Sequence, residues 1–242
     1  MIVDFHTHIL PGVDDGSSSL AQSIAMLEAE ASQGIHRVIA TPHFYARYDD
    51  PREFLQKREW AAQELRQALK ERPELPEVLV GAEVFYFPGM SDSEILPQLT
   101  IGGRSCILIE MPASPWNPSV YRELEQIYEK QKLIPVVAHV ERYIRLFRDY
   151  GIPERLAQMP VMVQANAAFF LHPAGRKKAL HMLKKDQIQL LGSDCHNMHE
   201  RAPDLEEALH LIRGCCGQSI LEKIAAYQHM LLGKETSQEN QT

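Results

Sequence analysis

Short hydrophobic segments rich in valine and isoleucine alternate along the chain with longer amphipathic stretches. The short segments are almost continuously apolar, which is typical of parallel strands buried on both faces. They predict seven strands: Ile2–Phe5, Arg37–Thr41, Val78–Phe85, Cys106–Glu110, Ile134–His139, Val161–Asn166 and Ile188–Ser193. The stretches between them predict helices: Ser19–Gln33, Pro51–Glu71, Pro118–Lys132, Ala174–Lys185 and Pro203–Arg213.

This alternation predicts an α/β fold with a parallel sheet and right-handed crossovers. Such a sheet either closes into a barrel or stays open with helices on both faces, and the pattern alone permits both. The length of 242 residues suits one barrel domain, which we expect to span residues 1–232. The remaining residues, 233–242, are polar, and we expect them to form a disordered tail.

Charge and cysteine content argue against several classes of function. The formal net charge is −7, whereas nucleic-acid and membrane-surface binding usually need a basic surface. The four cysteines show no CxxC spacing, which favours a reducing compartment. No secretory signal precedes the first strand, and no apolar run is long enough to span a membrane. We therefore expect a cytoplasmic protein without membrane insertion.

Potential metal ligands follow nearly every predicted strand at its carboxyl end. In a parallel barrel these ends share one face, and active sites form there. Nine side chains would therefore converge: His6, His8, Asp15, His43, Glu83, Glu110, His139, Asp194 and His196. A single histidine at a strand end is more often a hydrogen-bonded loop residue, but the joint pattern favours a metal site.

The most specific part of this pattern is the His-x-His pair of His6 and His8. Alternate residues of an extended strand point the same way, so both imidazoles can bind one ion. Glu83 and Glu110 lie in apolar segments, where a carboxylate is costly unless it is paired or coordinated. For each of these two glutamates, a buried ion pair with arginine is the alternative.

The predicted ligands are imidazoles and carboxylates without a thiolate, which suits Mn²⁺, Fe or Zn²⁺. Nine side chains are too many for one ion, so we expect two or three ions with bridging carboxylates. Such a centre stays positively charged and favours an anionic substrate such as a phosphate ester. Arg142 and Arg201 follow two ligand segments and are suited to bidentate phosphate binding, with a surface ion pair as the alternative.

Six segments together resemble a known family: DFHTHILPGVDDG, TPHF, GAEV, LIEMP, AHVERY and GSDCHN. Over about residues 1–230 the chain resembles the PHP (polymerase and histidinol phosphatase) superfamily. More narrowly, it resembles the manganese-dependent protein tyrosine phosphatases of bacterial capsule and exopolysaccharide operons. The resemblance implies a distorted seven-stranded parallel barrel of the TIM type, a trinuclear metal centre and hydrolysis of phosphotyrosine in proteins.

The resemblance also implies roles for single residues. The first ion would be bound by His6, His8, Glu83 and Asp194, the second by Glu83, Glu110 and His139, and the third by Asp15, His43 and His196. Arg142 and Arg201 match the phosphate-binding arginines of the family. The implied partner is a phosphotyrosine protein, usually a cytoplasmic bacterial tyrosine kinase with a tyrosine-rich C-terminal tail.

Three further residues are candidates for contact with such a substrate. Tyr45 and Arg47 follow the predicted ligand His43 and can form a wall against a phosphotyrosine ring, although ordinary loop packing explains them equally well. His199 or His43 can protonate the leaving oxygen. A phenol with a pKa near ~10 needs this help less than an alkyl alcohol does.

Other functions stay open at this point. Cys195 and Arg201 satisfy the C-x5-R signature of cysteine-dependent phosphatases, but the residues between them include no glycine, and Glu200 would repel phosphate. The same metal ligands would serve a small-molecule phosphatase of the histidinol-phosphate type or a phosphodiesterase. A non-enzymatic module, as in some polymerases, predicts lost ligands, and this chain keeps them all.

Overall fold

The computed structural model describes residues 3–147 and 151–233, in which helices pack around parallel strands. The strands are β1 (Val3–Thr7), β2 (Arg37–Ala40), β3 (His43–Phe44), β4 (Glu77–Val80), β5 (Glu83–Phe85), β6 (Cys106–Glu110), β7 (Ile134–Val137), β8 (Met162–Asn166) and β9 (Leu190–Gly192). The helices are α1 (Leu20–Ser32), α2 (Pro51–Leu69), α3 (Pro118–Gln131), α4 (Val140–Phe147), α5 (Ile152–Leu156), α6 (Ala167–Leu171), α7 (Pro173–Lys184), α8 (Leu205–Cys216) and α9 (Gln218–Leu232). The predicted disordered tail lies outside the described residues from position 234 onwards.

The strands form two parallel sheets, one in the order β1-β2-β4 and the other in the order β3-β5-β6-β7-β8-β9. The first and last strands are also neighbours. The Asp194 N–H donates to the His6 carbonyl oxygen at 2.8 Å, and the His8 N–H donates to the Cys195 carbonyl oxygen at 2.9 Å. The segment after β9 therefore continues along β1 in parallel and brings the two ends of the strand series together.

The seven predicted strands correspond to nine in the described residues. The predicted run Val78–Phe85 divides into β4 and β5 because these strands pair in different sheets, β4 with β2 and β5 with β3 and β6. The division falls at Gly81, where a Cβ atom would lie 2.9 Å from Cγ1 of Ile101. His43 and Phe44 form an additional short strand beside β5. Four helices, α4, α5, α6 and α9, were not predicted.

Alternate strand residues enter two separate apolar cores. Ile107 and Ile109 of β6 face the larger core, between the strands and the outer helices. Leu108 of the same strand faces a smaller core enclosed by strands of both sheets, which also contains Phe5, Val136, Leu190, Leu231 and Leu232. Burying one such aliphatic side chain contributes about 1.5–3 kcal/mol, so both strand faces stabilise the fold.

Helix α9 closes the smaller core at the amino ends of the strands. The buried side chain of Gln228 accepts a hydrogen bond from the Val3 N–H at 3.0 Å and donates one to the Val3 carbonyl oxygen at 2.7 Å. Leu231 and Leu232 contribute to the core itself. The opposite ends of the strands, where the predicted ligands lie, are left for a site.

The helix starts predicted at Ser19 and Pro51 agree with the structure. The Ser19 hydroxyl oxygen accepts from the Gln22 N–H, and the Asp50 carboxylate accepts from the first turn of α2, which begins with Pro51. Both are preferred N-cap arrangements, because they satisfy amide groups that have no partner within the helix. Among the helices of residues 3–147 and 151–233, none combines the length and apolar character needed to cross a membrane.

Candidate metal centre

All nine predicted ligands lie close together at the carboxyl ends of the strands. Eight of them form three overlapping groups whose ligand atoms lie within 4.8 Å of one another: His6 with His8 and Asp194; His8 with Asp15, His43 and His196; and His43 with Glu83 and Glu110. The ninth, His139, contacts Glu83, with 2.7 Å between its Nε2 and Oε1 of the carboxylate. The strand-end pattern thus identified residues that the fold assembles in one place.

The first group has the spacing of a coordination sphere. The Nε2 atoms of His6 and His8 lie 3.1 Å apart. Oε2 of Glu83 lies 3.1 and 3.4 Å from these two nitrogens. Oδ1 of Asp194 lies 3.5 and 3.3 Å from the same two atoms. Ligand atoms ~2.0–2.1 Å from a tetrahedral ion are ~3.3–3.4 Å apart, so the atoms of His6, His8 and Asp194 can surround one ion, with Oε2 of Glu83 beside the two imidazoles.

Glu83 connects this group to its neighbours through its two oxygens. Oε2 faces His6 and His8 and lies 3.1 Å from Nδ1 of His43. Oε1 faces His139, whose Nε2 also lies 3.7 Å from Oε1 of Glu110. A buried carboxylate that presents each oxygen to a different set of ligands is suited to bridge two ions.

The group of His8, Asp15, His43 and His196 lies at the rim of the centre. Oδ1 of Asp15 is 3.5 Å from Nε2 of His43 and 3.5 Å from Nε2 of His196. Asp15 is 68% exposed, unlike the buried ligands of the first group. The resemblance assigned His43 to this group alone, whereas the structure places it against Glu83 as well, between two groups of ligands.

The backbone of β1 and β9 is irregular and closely packed where the ligand side chain of His6 lies. The pairing of β1 with β2 is irregular between Asp4 and Thr7, and the Asp4 carboxylate accepts hydrogen bonds from the N–H groups of His6 and Ser193. At Gly192 of β9, a Cβ atom would lie 2.6 Å from Cβ of His6. Glycine therefore leaves the space that the His6 side chain occupies between the strands.

Two of the candidate ligands have a left-handed backbone. His139 has a φ of 32° and Asp194 a φ of 56°. Non-glycine residues in this region are uncommon, and such strain clusters at functional sites. Each residue lies two positions after the end of its strand, β7 or β9, so the unusual dihedral occurs where the chain leaves the sheet at the ligand cluster.

Histidine charges keep the central carboxylates ionised. Burial alone would raise the pKa of Asp194, but the charge of His6 and a hydrogen bond from His8 hold that pKa below its usual range. Burial would likewise raise the pKa of Glu83, but His6 and the hydrogen bond from His139 hold it well below its usual value. Both groups are therefore carboxylates at neutral pH, the form that binds metal ions.

Two imidazoles are kept neutral by the same surroundings. Burial lowers the pKa of His139. Burial, together with the positive charges of His8 and Arg201, lowers the pKa of His196 to about 4. A neutral imidazole has a lone pair for a metal ion, so both side chains are ready to act as ligands.

Several ligand atoms lack the hydrogen bonds that buried polar atoms normally make. Within the described residues, Nδ1 of His43, Oδ1 of Asp194 and Nε2 of His196 are buried and have no hydrogen bond of acceptable geometry, although the first two lie at ion-pair distance from Glu83 and Arg201. Leaving such an atom unsatisfied costs about 1–3 kcal/mol. Bound metal ions would satisfy all three, and the mixture of imidazoles and carboxylates without thiolates fits Mn, Fe or Zn.

Two arginines border the cluster. Nη1 of Arg142 donates to Oε1 of Glu110 at 3.2 Å, and Nη2 donates to Oδ2 of Asp194 at 2.9 Å. Nη2 of Arg201 lies 2.7 Å from Oδ1 of Asp194. Both side chains are more than one-third exposed, at 37% and 38%. They pair with ligand carboxylates rather than with surface acids, and their exposed portions remain accessible to an anion.

Comparison with known proteins identifies the family. The family model for capsular polysaccharide synthesis proteins CpsB/CapC matches residues 2–232. This chain belongs to the CpsB/CapC family. The tyrosine-protein phosphatase YwqE of Bacillus subtilis is 29% identical over 242 residues, covering 97% of this chain and 93% of the relative. The tyrosine-protein phosphatase CpsB of Streptococcus agalactiae is 26% identical over 221 residues, covering 87% and 89%.

A solved structure supports the same relationship. A chain from the crystal structures of YwqE from Bacillus subtilis and CpsB from Streptococcus pneumoniae, described as metal-dependent tyrosine phosphatases, matches with a TM-score of 0.85 and 25% identity. The match covers 96% of this chain and 94% of that one. The resemblance stated from the sequence motifs is therefore confirmed at the level of the CpsB/CapC family.

Of the other residues predicted to contact the substrate, Tyr45 lies beside a predicted ligand, whereas Arg47 and His199 lie on exposed parts of the surface. The Tyr45 ring lies 5.3 Å from the His43 ring, and burial with nearby carboxylates raises the pKa of its hydroxyl. Arg47 is exposed and lies over the Tyr48 ring, and His199 is exposed on the turn after His196. In residues 3–147 and 151–233, neither Arg47 nor His199 forms a hydrogen bond or ion pair with a predicted ligand.

The cysteine of the C-x5-R signature does not have the surroundings of a catalytic nucleophile in this CpsB/CapC chain. Cys195 is fully buried, with Sγ 3.9 Å from Oε1 of Glu30, and burial with the charge of Glu30 raises the pKa of its thiol well above the usual value. The N–H groups that would have to cradle a phosphate, those of His199, Glu200 and Arg201, donate instead to Oδ1 of Asn197.

Three supporting residues of the centre were not predicted from the sequence. Asp14 was interpreted only as a turn residue, but its carboxylate lies 2.7 Å from Nδ1 of His8 and accepts from the His43 N–H. Gln164 accepts from the His139 N–H, and Asn166 donates to Asp194 at 2.8 Å. The sequence did contain a sign of the roles of Gln164 and Asn166, because both are polar residues in a strand that is otherwise apolar and buried.

Proposed function

We propose that this CpsB/CapC protein is a metal-dependent phosphatase that removes phosphate from phosphotyrosine in proteins. The observation that carries the proposal is the pairing of two partly exposed arginines with carboxylates of a nine-residue ligand cluster. In that arrangement the anion-binding guanidinium groups would lie directly beside the bound ions. The relatives named above are tyrosine-protein phosphatases, which supports phosphotyrosine over other phosphate esters.

We infer that the nine side chains bind two or three divalent ions, with Mn²⁺ as the expected metal and Fe or Zn²⁺ as alternatives. Glu83 would be shared between ions through its two oxygens. When bound, the ions would supply an activated water at neutral pH and neutralise charge on the phosphate. Asp194 and Glu110 would then be neutralised by metal, which leaves their arginine partners available for substrate oxygens.

The substrate would be positioned by residues at the rim. Arg142 and Arg201 would donate to the phosphoryl oxygens and stabilise the charge that develops there in the transition state. The Tyr45 ring, beside His43, would pack against the phosphotyrosine ring, with Arg47 further out on the same loop. His199 or His43 would donate a proton to the leaving phenol oxygen.

We further propose that the strands close into a distorted barrel with seven strand positions, as one domain over residues 1–232. The hydrogen bonds between β1 and the segment after β9 support closure. The expected substrate protein is a bacterial tyrosine kinase that controls capsule or exopolysaccharide synthesis. A cytoplasmic location fits the four cysteines, all of which are free.

The decisive experiment compares substrates and metals in one preparation. The protein is stripped with a chelator, reloaded with Mn²⁺, Fe²⁺ or Zn²⁺, and assayed on a phosphotyrosine peptide, a phosphoserine peptide, histidinol phosphate and a phosphodiester. We expect activity to be lost on stripping, restored by metal, and highest on phosphotyrosine. Full activity after exhaustive metal removal would contradict the metal proposal, and a preference for histidinol phosphate would contradict the substrate.

A further inference from the structure

A cavity of roughly 550 Å³ lies beside the metal centre, between α4 on one side and α6 with the start of α7 on the other. This volume is within the range of ligand pockets, ~300–1,000 Å³. Its lining includes Arg142, Arg145, Phe169, His172, Gly175 and Lys178. None of these was among the predicted ligands, and only Arg142 has a role in the proposed phosphate site.

The cavity and the metal centre share a wall. The Arg142 side chain lines the cavity, while its guanidinium group donates to Glu110 and Asp194 of the ligand cluster. Next to it, Glu141 is also a lining residue, and its carboxylate accepts from the N–H of Asn166, whose side chain donates to Asp194. A chain segment attached to a phosphate at Arg142 would therefore reach the cavity within a few residues.

The cavity is mainly cationic, in contrast to the chain as a whole, which carries a formal charge of −7. Arg145 is exposed at its edge, Lys178 is partly exposed on α7, and Arg142 lies at the boundary with the cluster. Among the lining residues that the structure describes, the acid is Glu141, whose Oε1 accepts from the Asn166 N–H. Charge complementarity therefore favours a ligand with acidic side chains.

The rest of the lining is suited to an extended peptide. Phe169 is half-buried and offers an apolar surface. At Gly175, a Cβ atom would lie 2.7 Å from Cδ2 of Phe169, so glycine lets the ring lie against α7. Ala168 and Ala174 add only small side chains to the same region. The backbone of a bound peptide can therefore lie close to Ala168, Ala174 and Gly175, while its side chains reach the cations at the edge of the cavity.

We propose that this cavity binds the residues next to the phosphotyrosine and that it selects protein substrates in which those residues are acidic. The inference rests on the proposed phosphotyrosine phosphatase function. It adds that the substrate is recognised through its flanking sequence and not only through its phosphate and ring.

The test uses the full chain loaded with Mn²⁺ and four substrates: free phosphotyrosine, and three peptides of equal length whose residues beside the phosphotyrosine are aspartate and glutamate, alanine, or lysine. The acidic residues are placed before the phosphotyrosine in one series and after it in another. Since the acidic residues would add exposed charge pairs at the cavity edge, we expect kcat/KM to be about threefold to tenfold higher for the acidic than for the alanine peptide. The lysine peptide should be the poorest of the three.

Single-residue variants test whether the cavity causes the preference for acidic peptides. Arg145→Glu should lower the ratio of kcat/KM for the acidic peptide to that for free phosphotyrosine about fivefold, a size consistent with reversing one exposed charge contact. Phe169→Ala should raise KM for all three peptides relative to free phosphotyrosine. Lys177→Glu is the matched control, because Lys177 is exposed on α7 outside the cavity lining and the charge change is the same. It should leave the ratio at the wild-type value.

Equal kcat/KM for the three peptides in the wild-type protein would overturn the inference. So would equal shifts of the ratio in Arg145→Glu and Lys177→Glu, which would indicate an effect of overall charge. Failure of the proposed function gives a different result: free phosphotyrosine itself would not be hydrolysed by the metal-loaded protein. That outcome would overturn both proposals together.

Discussion

Oδ2 of Asp14 lies 2.7 Å from Nδ1 of His8, on the side of the imidazole ring opposite the ligand cluster. This contact orients the ring and favours a proton on Nδ1, so that Nε2 keeps its lone pair for a metal ion. Asp14 also accepts from the His43 N–H at 3.0 Å and from the Gly16 N–H at 3.0 Å. One carboxylate thus holds two candidate ligand segments in place without being a ligand itself.

Asp14→Asn should therefore weaken metal binding although it changes no predicted ligand. Loss of such an orienting carboxylate typically costs ~10–100-fold in metal affinity, and we expect a reduction in that range. The measurement is a competition titration of Mn²⁺ against a chelator of known affinity. Asp92→Asn, at an exposed aspartate paired with Lys130, is the control and should bind Mn²⁺ as the wild-type protein does.

Glu83 and Asp15 should differ in their effect on metal content. Glu83 is buried and contacts the three candidate ligands His6, His43 and His139, so Glu83→Gln should remove most of the bound metal. Asp15 is 68% exposed and lies at ion-pair distance from the rim ligands His43 and His196, so Asp15→Asn should remove about one ion and leave the others. Elemental analysis after gel filtration gives the stoichiometry. Equal metal loss in both variants would contradict the assignment of Asp15 to a separate rim ion.

Arg142 and Arg201 should affect turnover more than metal content. Removing one preorganised donor to a developing negative charge typically lowers kcat by ~10²–10³-fold, and we expect this for Arg142→Gln and Arg201→Gln. Arg142→Lys keeps the charge but loses the two-pronged geometry, so it should be intermediate. Steady-state kinetics on a phosphotyrosine peptide, with metal content measured in the same samples, separate the two effects. Unchanged kcat with full metal content would argue against a phosphate-binding role.

Cys195 should be dispensable for activity. Its thiol is buried beside Glu30 with a pKa well above the usual value, so it cannot supply a thiolate at neutral pH. We expect Cys195→Ser and Cys195→Ala to retain kcat within about threefold, with any loss due to packing, since altering a buried side chain costs ~0.5–3 kcal/mol of stability. Complete loss of activity in a variant that still folds and binds metal would favour the cysteine mechanism.

Asp204 should make the stability of the protein depend on pH. Burial, together with the charges of Asp4 and Glu207, raises the pKa of Asp204 from 3.8 to about 7. A raised folded-state pKa means that the protonated carboxyl contributes stability fully below pH ~4 and that this contribution is lost as the pH rises through ~7. Asp204→Asn should therefore match the wild type near pH 4 and exceed it by about 1–2 kcal/mol above pH 7. Urea unfolding at several pH values measures this, with exposed Glu206→Gln as the control.

The candidate ligands could be identified from the sequence because parallel strands impose a simple rule. Their carboxyl ends share one face, so a histidine or carboxylate after an apolar run is brought towards all the others. His6 and His8 followed from local spacing, and Glu83 and Glu110 from their position in apolar segments. Arg142 and Arg201 followed from their proximity to ligand segments along the chain.

The supporting residues could not be identified in the same way. Asp14 in a DDG segment has an ordinary local explanation as a turn residue, and only the approach of His8 and His43 gives it a further role. The cationic cavity joins Arg145 and Lys178, which lie on different helices separated by strand β8. No local pattern relates them, because their distance depends on how α4 and α7 pack.

By itself, the sequence determined the strand–helix alternation, the helix starts at Ser19 and Pro51, and the set of chemically competent side chains at strand ends. These depend on periodicity, capping and residue chemistry, which act over a few neighbouring residues. The tertiary structure decided how the strands divide between sheets, which oxygen of Glu83 faces which histidine, and which residues orient the ligands. Those features depend on contacts between segments up to 225 residues apart, such as Val3 with Gln228, and only the folded chain brings such segments together.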